Sequence, residues 1–219
     1  LAVPLKSGDS LASRGQIGGA ANVLTDLPNL LTLSRIAAIP VLIVLVALHA
    51  PSANFAACIV FSAAAITDYF DGRIARDRRQ TSNIGRMLDP IADKLLVGAA
   101  LMLLAGQARL SAWGLYPATV ILLREILVSG LREYLAGLRV GLPVTNLAKW
   151  KTGFQMGSLG TLLAGNDSAA LLHIQFLPVS QIGEAMLWTA AVLTLVTGWD
   201  YLKAGLRHAT TPSGALPRG

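Results

Sequence analysis

Asp68, Asp71, Asp89 and Asp93 place four carboxylates in one short stretch, DYFDGRIARDRRQTSNIGRMLDPIAD, beside some of the most apolar sequence in the chain. Asp68 and Asp71 stand three apart and Asp89 and Asp93 four apart, so on two helices each pair shares a face, one turn apart. Four anions converging in a low-dielectric setting repel one another strongly unless cations sit between them. An all-oxygen ligand set suits hard ions such as Mg²⁺, Mn²⁺ or Ca²⁺. The four acids therefore read as a two-metal site. The alternative, that they cap helix ends and solvate a surface, is the weaker one, because ionisable residues at the edge of an apolar span are functional by default.

The elements that must hold these acids follow from composition. Of 219 residues, 53% are hydrophobic and only 14% charged, with a mean hydropathy of +0.57, which is too apolar for an ordinary soluble domain of this length. The expectation is an all-α integral membrane protein of six transmembrane helices, with a polar, metal-containing cavity at the cytosolic side. A single cysteine, Cys58, excludes an internal disulfide or a thiolate cluster and reads as a buried structural thiol. The net charge of +6 lies beside apolar spans, without an aromatic-interleaved basic groove, so it points to anionic lipid headgroups and phosphorylated substrates and away from nucleic acid.

Residues 1–25, rich in Gly, Ala and Ser, read as a flexible tail, 26–208 as the membrane domain and 209–219 as a C-terminal tail. The first span is expected from about Pro28 to His49, with Asp26 as N-cap and Pro40 as a kink point. On it Asn29, Thr32 and Arg35 follow at steps of three and share a side; Arg35 either faces the cavity or snorkels. The second span, about Ala53 to Arg76, ends in the first acidic pair, and the third, about Ile84 to Ala105, begins with the second. The polar link between them is too short to cross a bilayer, so both pairs stay on one side. A fourth span, Trp113 to Leu135, carries Arg124, Glu125, Arg132 and Glu133; a fifth, Asn146 to Leu163, opens with Lys149 and Lys151; a sixth runs from Ile182 to Leu206. With six spans both termini share a side, and Arg109 is the only one of the 18 Lys and Arg residues on the opposite loops, which places termini and acids in the cytosol.

The spacing D-x2-D-G-x2-A-R-x8-G-x3-D-x3-D, running Asp68, Asp71, Gly72, Ala75, Arg76, Gly85, Asp89 and Asp93, resembles the signature of the CDP-alcohol phosphotransferases, integral membrane enzymes of phospholipid synthesis. PNLLTLSR, REILVSGLREYLAG and NLAKWKTGFQM resemble the bacterial phosphatidylglycerophosphate synthases within that family. The resemblance covers most of residues 27–156. It implies a homodimer in the bacterial inner membrane that moves the phosphatidyl group of CDP-diacylglycerol to sn-glycerol 3-phosphate and releases CMP. Two divalent cations, Mg²⁺ or Mn²⁺, would be held by Asp68, Asp71, Asp89 and Asp93, with Asp93 also the general base. Asn29, Thr32, Gly72, Ala75, Arg76 and Gly85 would receive CDP-diacylglycerol, Arg76 pairing with its pyrophosphate and Gly72 letting the cytidine approach. As plain packing glycines, Gly72 and Gly85 would need no such role.

Arg124 and Arg132 lie eight apart along one side of a helix, and Lys149 and Lys151 open the next span on the same side, so the four cations suit an acceptor's dianionic phosphate. For Arg124 and Arg132 the alternative is internal pairing with Glu125, Glu133 or lipid phosphate. A sister enzyme with inositol phosphate, inositol or serine as acceptor is the nearest rival reading. A cation transporter is the rival from another class, disfavoured because the acids lie at a span boundary beside a spaced Arg and Gly set.

Overall fold

A computed structural model describes residues 27–78, 83–137 and 146–210, with the side chains of 27–29, 68–78, 83–87, 200 and 204–210 outside the description. Six helices follow one another: α1 (Leu27–Ala47), α2 (Pro51–Arg78), α3 (Asn83–Gly106), α4 (Leu115–Gly137), α5 (Asn146–Leu171) and α6 (Val179–Thr210). No strand occurs among the described residues. Two helices are long and apolar enough to cross a membrane, over Leu30–Ala47 and Val179–Lys203, and α2 carries a shorter apolar run, Pro51–Thr67.

Five of the six expected spans lie within a few residues of a helix, and the fifth needs correction. α5 continues past Leu163 to Leu171, interrupted at Gly165, whose φ of 66° and ψ of 177° are open to glycine at little cost and not to other residues. The polar run Asn166, Asp167, Ser168 reads as a loop in sequence, yet it resumes helix because its groups find partners. Ser168 Oγ donates to Pro51 O at 3.1 Å, and Asn166 Oδ1 accepts from the Ser180 amide at 3.0 Å. α1 runs on through Pro40, and Pro90 sits inside α3, where it withholds the N–H that Arg86 O would accept.

Neighbouring helices close a ring in the order α1, α2, α5, α6, α4, α3, with α3 also touching α5 across it. The sequential neighbours α2 and α3 therefore pack on opposite flanks of α1, which lets the short link bring both acidic pairs to the same end. Leu42, Val46, Phe61, Leu96, Leu104, Ile121, Leu159, Leu162, Leu163 and Leu187 fill the centre and are at most 1% exposed. Close approach of α5 and α6 depends on Gly183, since a Cβ there would lie 2.7 Å from Leu162 Cγ. The outward faces are apolar too: Val44, Leu48, Met102, Leu123, Ile126, Leu127 and Val192 are all exposed.

Polar side chains tie the loops at the end of the bundle where α1, α3 and α5 finish. Arg109 donates to Leu163 O at 2.7 Å, a carbonyl beside the break at Gly165, and to Asn54 Oδ1 at 2.6 Å. Burial pulls the Arg109 guanidinium below its ordinary range, and Asp167 works against that shift. Glu184 accepts from both the amide and hydroxyl of Ser111, at 2.5 and 2.8 Å, and His49 Nε2 lies 2.6 Å from Gln107 Oε1. Cys58 is half-buried, its thiol 4.0 Å from Ser62 Oγ.

Candidate active site

The opposite end, where α3 and α5 begin and α4 and α6 approach their ends, holds the charged residues. α1 presents Thr32 and Arg35 from one face, and both are almost fully buried, at 0% and 2% exposed. They meet Asp89 on α3: the Thr32 hydroxyl donates to Asp89 Oδ1, and Arg35 Nη2 lies 3.4 Å from the same oxygen. Arg35 thus faces protein and does not snorkel. Its guanidinium and the Thr32 hydroxyl fix the Asp89 carboxylate through Oδ1.

One turn along α3, Asp93 lines a cavity of about 490 Å³ together with Lys94 of α3, Arg124, Glu125, Arg132 and Glu133 of α4, Lys151 of α5 and Tyr201 of α6. Three helices contribute charge to one space, and a fourth contributes the Tyr201 ring. Arg124 is fixed three ways: Nε donates to Thr194 O at 3.1 Å, Nη2 to Thr197 Oγ1 at 3.0 Å, and Nη1 lies 3.3 Å from Glu125 Oε1. Lys151 pairs with the same Glu125 oxygen. Arg132, exposed, donates to Tyr201 Oη at 3.3 Å, and the guanidiniums of Arg124 and Arg132 lie 5.9 and 5.5 Å from the centroid of the Tyr201 ring. An aromatic face attracts cations, so Tyr201 holds two like charges near each other that would otherwise separate.

Arg124, Arg132 and Lys151, expected together, are together. Lys149 is not among them: it is exposed and outside the cavity wall. Residues two apart on a helix point about 200° from one another, so Lys149 and Lys151 cannot serve one site. The internal pairing weighed for Arg124 and Arg132 is half realised, since Arg124 meets Glu125 while Arg132 meets Tyr201; Lys151 meets Glu125 as well. Glu125 and Tyr201 are the site residues that the sequence reading left out. Only the crossing of α4 and α6 brings Tyr201 to the cavity.

The side chains of Asn29, Asp68, Asp71, Ala75 and Arg76 lie outside the described residues, as do the surroundings of Gly72 and Gly85. The backbone positions of all but Asn29 and Gly85 fall on α2; Asn29 opens α1 and Gly85 opens α3. Among the described residues no three metal-ligating side chains cluster. Two of the four aspartates are described, and their chemistry fits a hard cation: oxygen donors only, with Asp89 partly open and held from behind.

The family model for CDP-alcohol phosphatidyltransferase matches residues 25–196, which include every helix through most of α6. The chain belongs to the CDP-alcohol phosphatidyltransferase family. Among its relatives in this family is a Rickettsia bellii protein named CDP-diacylglycerol–glycerol-3-phosphate 3-phosphatidyltransferase, 45% identical over 179 residues, covering 82% of this chain and 94% of the relative. Proteins of the same name from Cereibacter sphaeroides and Shigella flexneri are 39% and 38% identical, covering 83% and 82% of this chain and 96% and 94% of theirs. As a phosphatidyltransferase of this family, the chain has its charged cavity inside the matched segment, apart from Tyr201.

Proposed function

We propose that the protein transfers the phosphatidyl group of CDP-diacylglycerol to sn-glycerol 3-phosphate, forming phosphatidylglycerophosphate and CMP in bacterial phospholipid synthesis. The observation that carries this reading is the shared cavity, in which Asp93 stands with Arg124, Arg132 and Lys151. A carboxylate able to take a proton lies beside cations able to hold a phosphate, which is the pairing that a phosphorylated alcohol acceptor demands. Relatives named for this acceptor agree with it.

In the reaction, a hydroxyl of glycerol 3-phosphate attacks the phosphorus that carries the diacylglycerol. The P–O bond to the cytidylyl phosphate breaks, and CMP leaves with the electron pair. Asp93 takes the hydroxyl proton. Arg124, Arg132 and Lys151 hold the acceptor's phosphate, which orients its hydroxyl for in-line attack, and the Tyr201 face keeps the two guanidiniums close. Asp68, Asp71, Asp89 and Asp93 would hold two divalent cations, Mg²⁺ or Mn²⁺, which when bound acidify the hydroxyl and offset charge on the phosphates. Thr32 and Arg35 keep Asp89 in place, while Arg76, Gly72, Ala75, Gly85 and Asn29 form the donor's seat.

The six helices span the bacterial inner membrane, the cavity and both termini facing the cytosol. Arg109 as the sole cation on the far loops supports this orientation, and the exposed apolar faces support the embedding. Those faces also leave room for a homodimer and for membrane lipids. The test is CMP release by the purified protein from CDP-diacylglycerol, with glycerol 3-phosphate, inositol phosphate, inositol and serine offered in turn. Turnover with glycerol 3-phosphate that chelators abolish and Mg²⁺ or Mn²⁺ restores is expected. Preference for another acceptor would replace this reading with that of a sister enzyme.

A further inference from the structure

Glu125 lies 17% exposed in the wall of the acceptor cavity, an unfavourable place for an anion whose neighbours are to receive a dianionic phosphate. Its own negative charge repels that ligand. A carboxylate there needs a compensating role, and the hydrogen bonds on either side of it indicate which one.

The two cations that it touches are held very differently. Arg124 has two further anchors on α6, the carbonyl of Thr194 and the hydroxyl of Thr197, with the Tyr201 ring beside it, so its guanidinium stays in place without Glu125. Lys151 arrives from α5 on a flexible four-carbon stem, 9% exposed, and its only hydrogen-bond partner among the described residues is Glu125. An ammonium beside a fixed guanidinium would swing away from it if nothing lay between them. Glu125 Oε1 bridges the two, meeting Arg124 Nη1 at 3.3 Å and Lys151 Nζ in a close ion pair.

Resting on the acceptor reading above, we propose that Glu125 is a positioning residue for phosphate recognition: it acts through Lys151, holding the ammonium inside the cavity in register with Arg124. Its repulsion of the acceptor is outweighed because an ion pair between buried partners fixes a side chain that is otherwise free to rotate, and a charge-assisted bond is roughly twice as strong as a neutral one. Glu125 takes no proton and touches no reacting atom.

The test is a double-mutant cycle read as KM for glycerol 3-phosphate, KM for CDP-diacylglycerol and kcat, using Glu125→Ala, Glu125→Gln, Lys151→Met and the double variants on the full chain. Glu125→Ala raises the acceptor KM about ten- to a hundredfold, matching Lys151→Met, and leaves the donor KM within about twofold. Glu125→Gln, which keeps an acceptor oxygen but loses the charge, falls between wild type and Glu125→Ala. Adding either Glu125 variant to Lys151→Met makes the acceptor KM no worse, because the residue through which Glu125 acts is already gone. Should Glu125→Ala fail to fold, the cycle is read with the isosteric Glu125→Gln. Multiplying effects in the double variants, a raised donor KM, or a lowered acceptor KM in Glu125→Gln would each overturn the proposal. An unchanged acceptor KM in Lys151→Met alone would instead remove the acceptor reading itself, and the role of Glu125 with it.

Discussion

Exchanging the Asp93 carboxylate for an amide keeps an oxygen that can ligate a cation but removes the group able to accept a proton. Asp93→Asn should therefore lose turnover by more than a hundredfold, as positioned bases contribute about 10²- to 10⁴-fold, while still binding Mn²⁺ in an equilibrium titration. Activity within threefold of wild type would end its assignment as the base. Lys149 offers the complementary check. Exposed and turned away from the cavity, it should tolerate Lys149→Ala with the acceptor KM within about twofold of wild type, which steady-state kinetics would read directly. At this scale the expectation for the acids rests on spacings of three and four, which put residues on a shared helical face whatever the tertiary structure. Arg124 and Arg132, eight apart, were legible for the same reason. Lys149 was misassigned because proximity in sequence was read as proximity in space across a step of two. Glu125 and Tyr201 were visible as charges and rings, but their roles depend on partners 26 and 69 residues away, a relation that no local pattern carries.

Apolar runs bounded by Pro, Gly and charged clusters gave the six helices, since a helix in an apolar medium satisfies its own backbone and needs little else to declare itself. α5 shows where that rule fails. Beyond Gly165 it resumes with Asn166, Asp167 and Ser168, and it is helical there because distant groups answer it: Pro51 O, the Ser180 amide, and Arg109 on the Leu163 carbonyl beside the break. Gly165→Ala places a Cβ on a backbone of φ 66° and ψ 177°, which costs about 1 to 3 kcal/mol. Arg109→Met strands the Leu163 carbonyl and the Asn54 side chain at a similar cost of about 1 to 3 kcal/mol. Each variant should lower the midpoint of thermal unfolding in detergent, while the acceptor KM, set at the other end of the bundle, stays unchanged. An altered acceptor KM with an unchanged midpoint would show that the two ends are coupled rather than independent.

Across the whole molecule, the ring order puts α1 between α2 and α3, so Asp89 is braced from α1, while the cations proposed for the acceptor come from α4 and α5 with the Tyr201 ring of α6 beside them. On the proposed reading, donor and acceptor functions divide between two halves of one ring, meeting at α3, where Asp89 meets α1 and Asp93 lines the cavity with α4, α5 and α6. The ring order itself was not legible in the sequence, because helices uniformly apolar outside do not announce which faces meet. The proposed orientation rests on the scarcity of cations on the far loops. With Cys58→Ser as background, Arg78→Cys and Gln107→Cys should label from opposite faces of the membrane, the first from the cytosol. Labelling of both from one face would break the six-span arrangement.

The division of the ring is also the central claim, and steady-state kinetics of Arg132→Ala with each substrate varied in turn test it most directly. Arg132 reaches the cavity from α4 and donates to Tyr201, so on this account its loss disturbs the acceptor's phosphate and leaves the acidic motif untouched. A lost charge-assisted contact of about 1.5 to 3 kcal/mol predicts a ten- to hundredfold fall in kcat/KM for glycerol 3-phosphate, carried mainly by KM, with the KM for CDP-diacylglycerol within about twofold. A raised KM for CDP-diacylglycerol beside an unchanged KM for glycerol 3-phosphate would contradict it, assigning these cations to the lipid or its pyrophosphate.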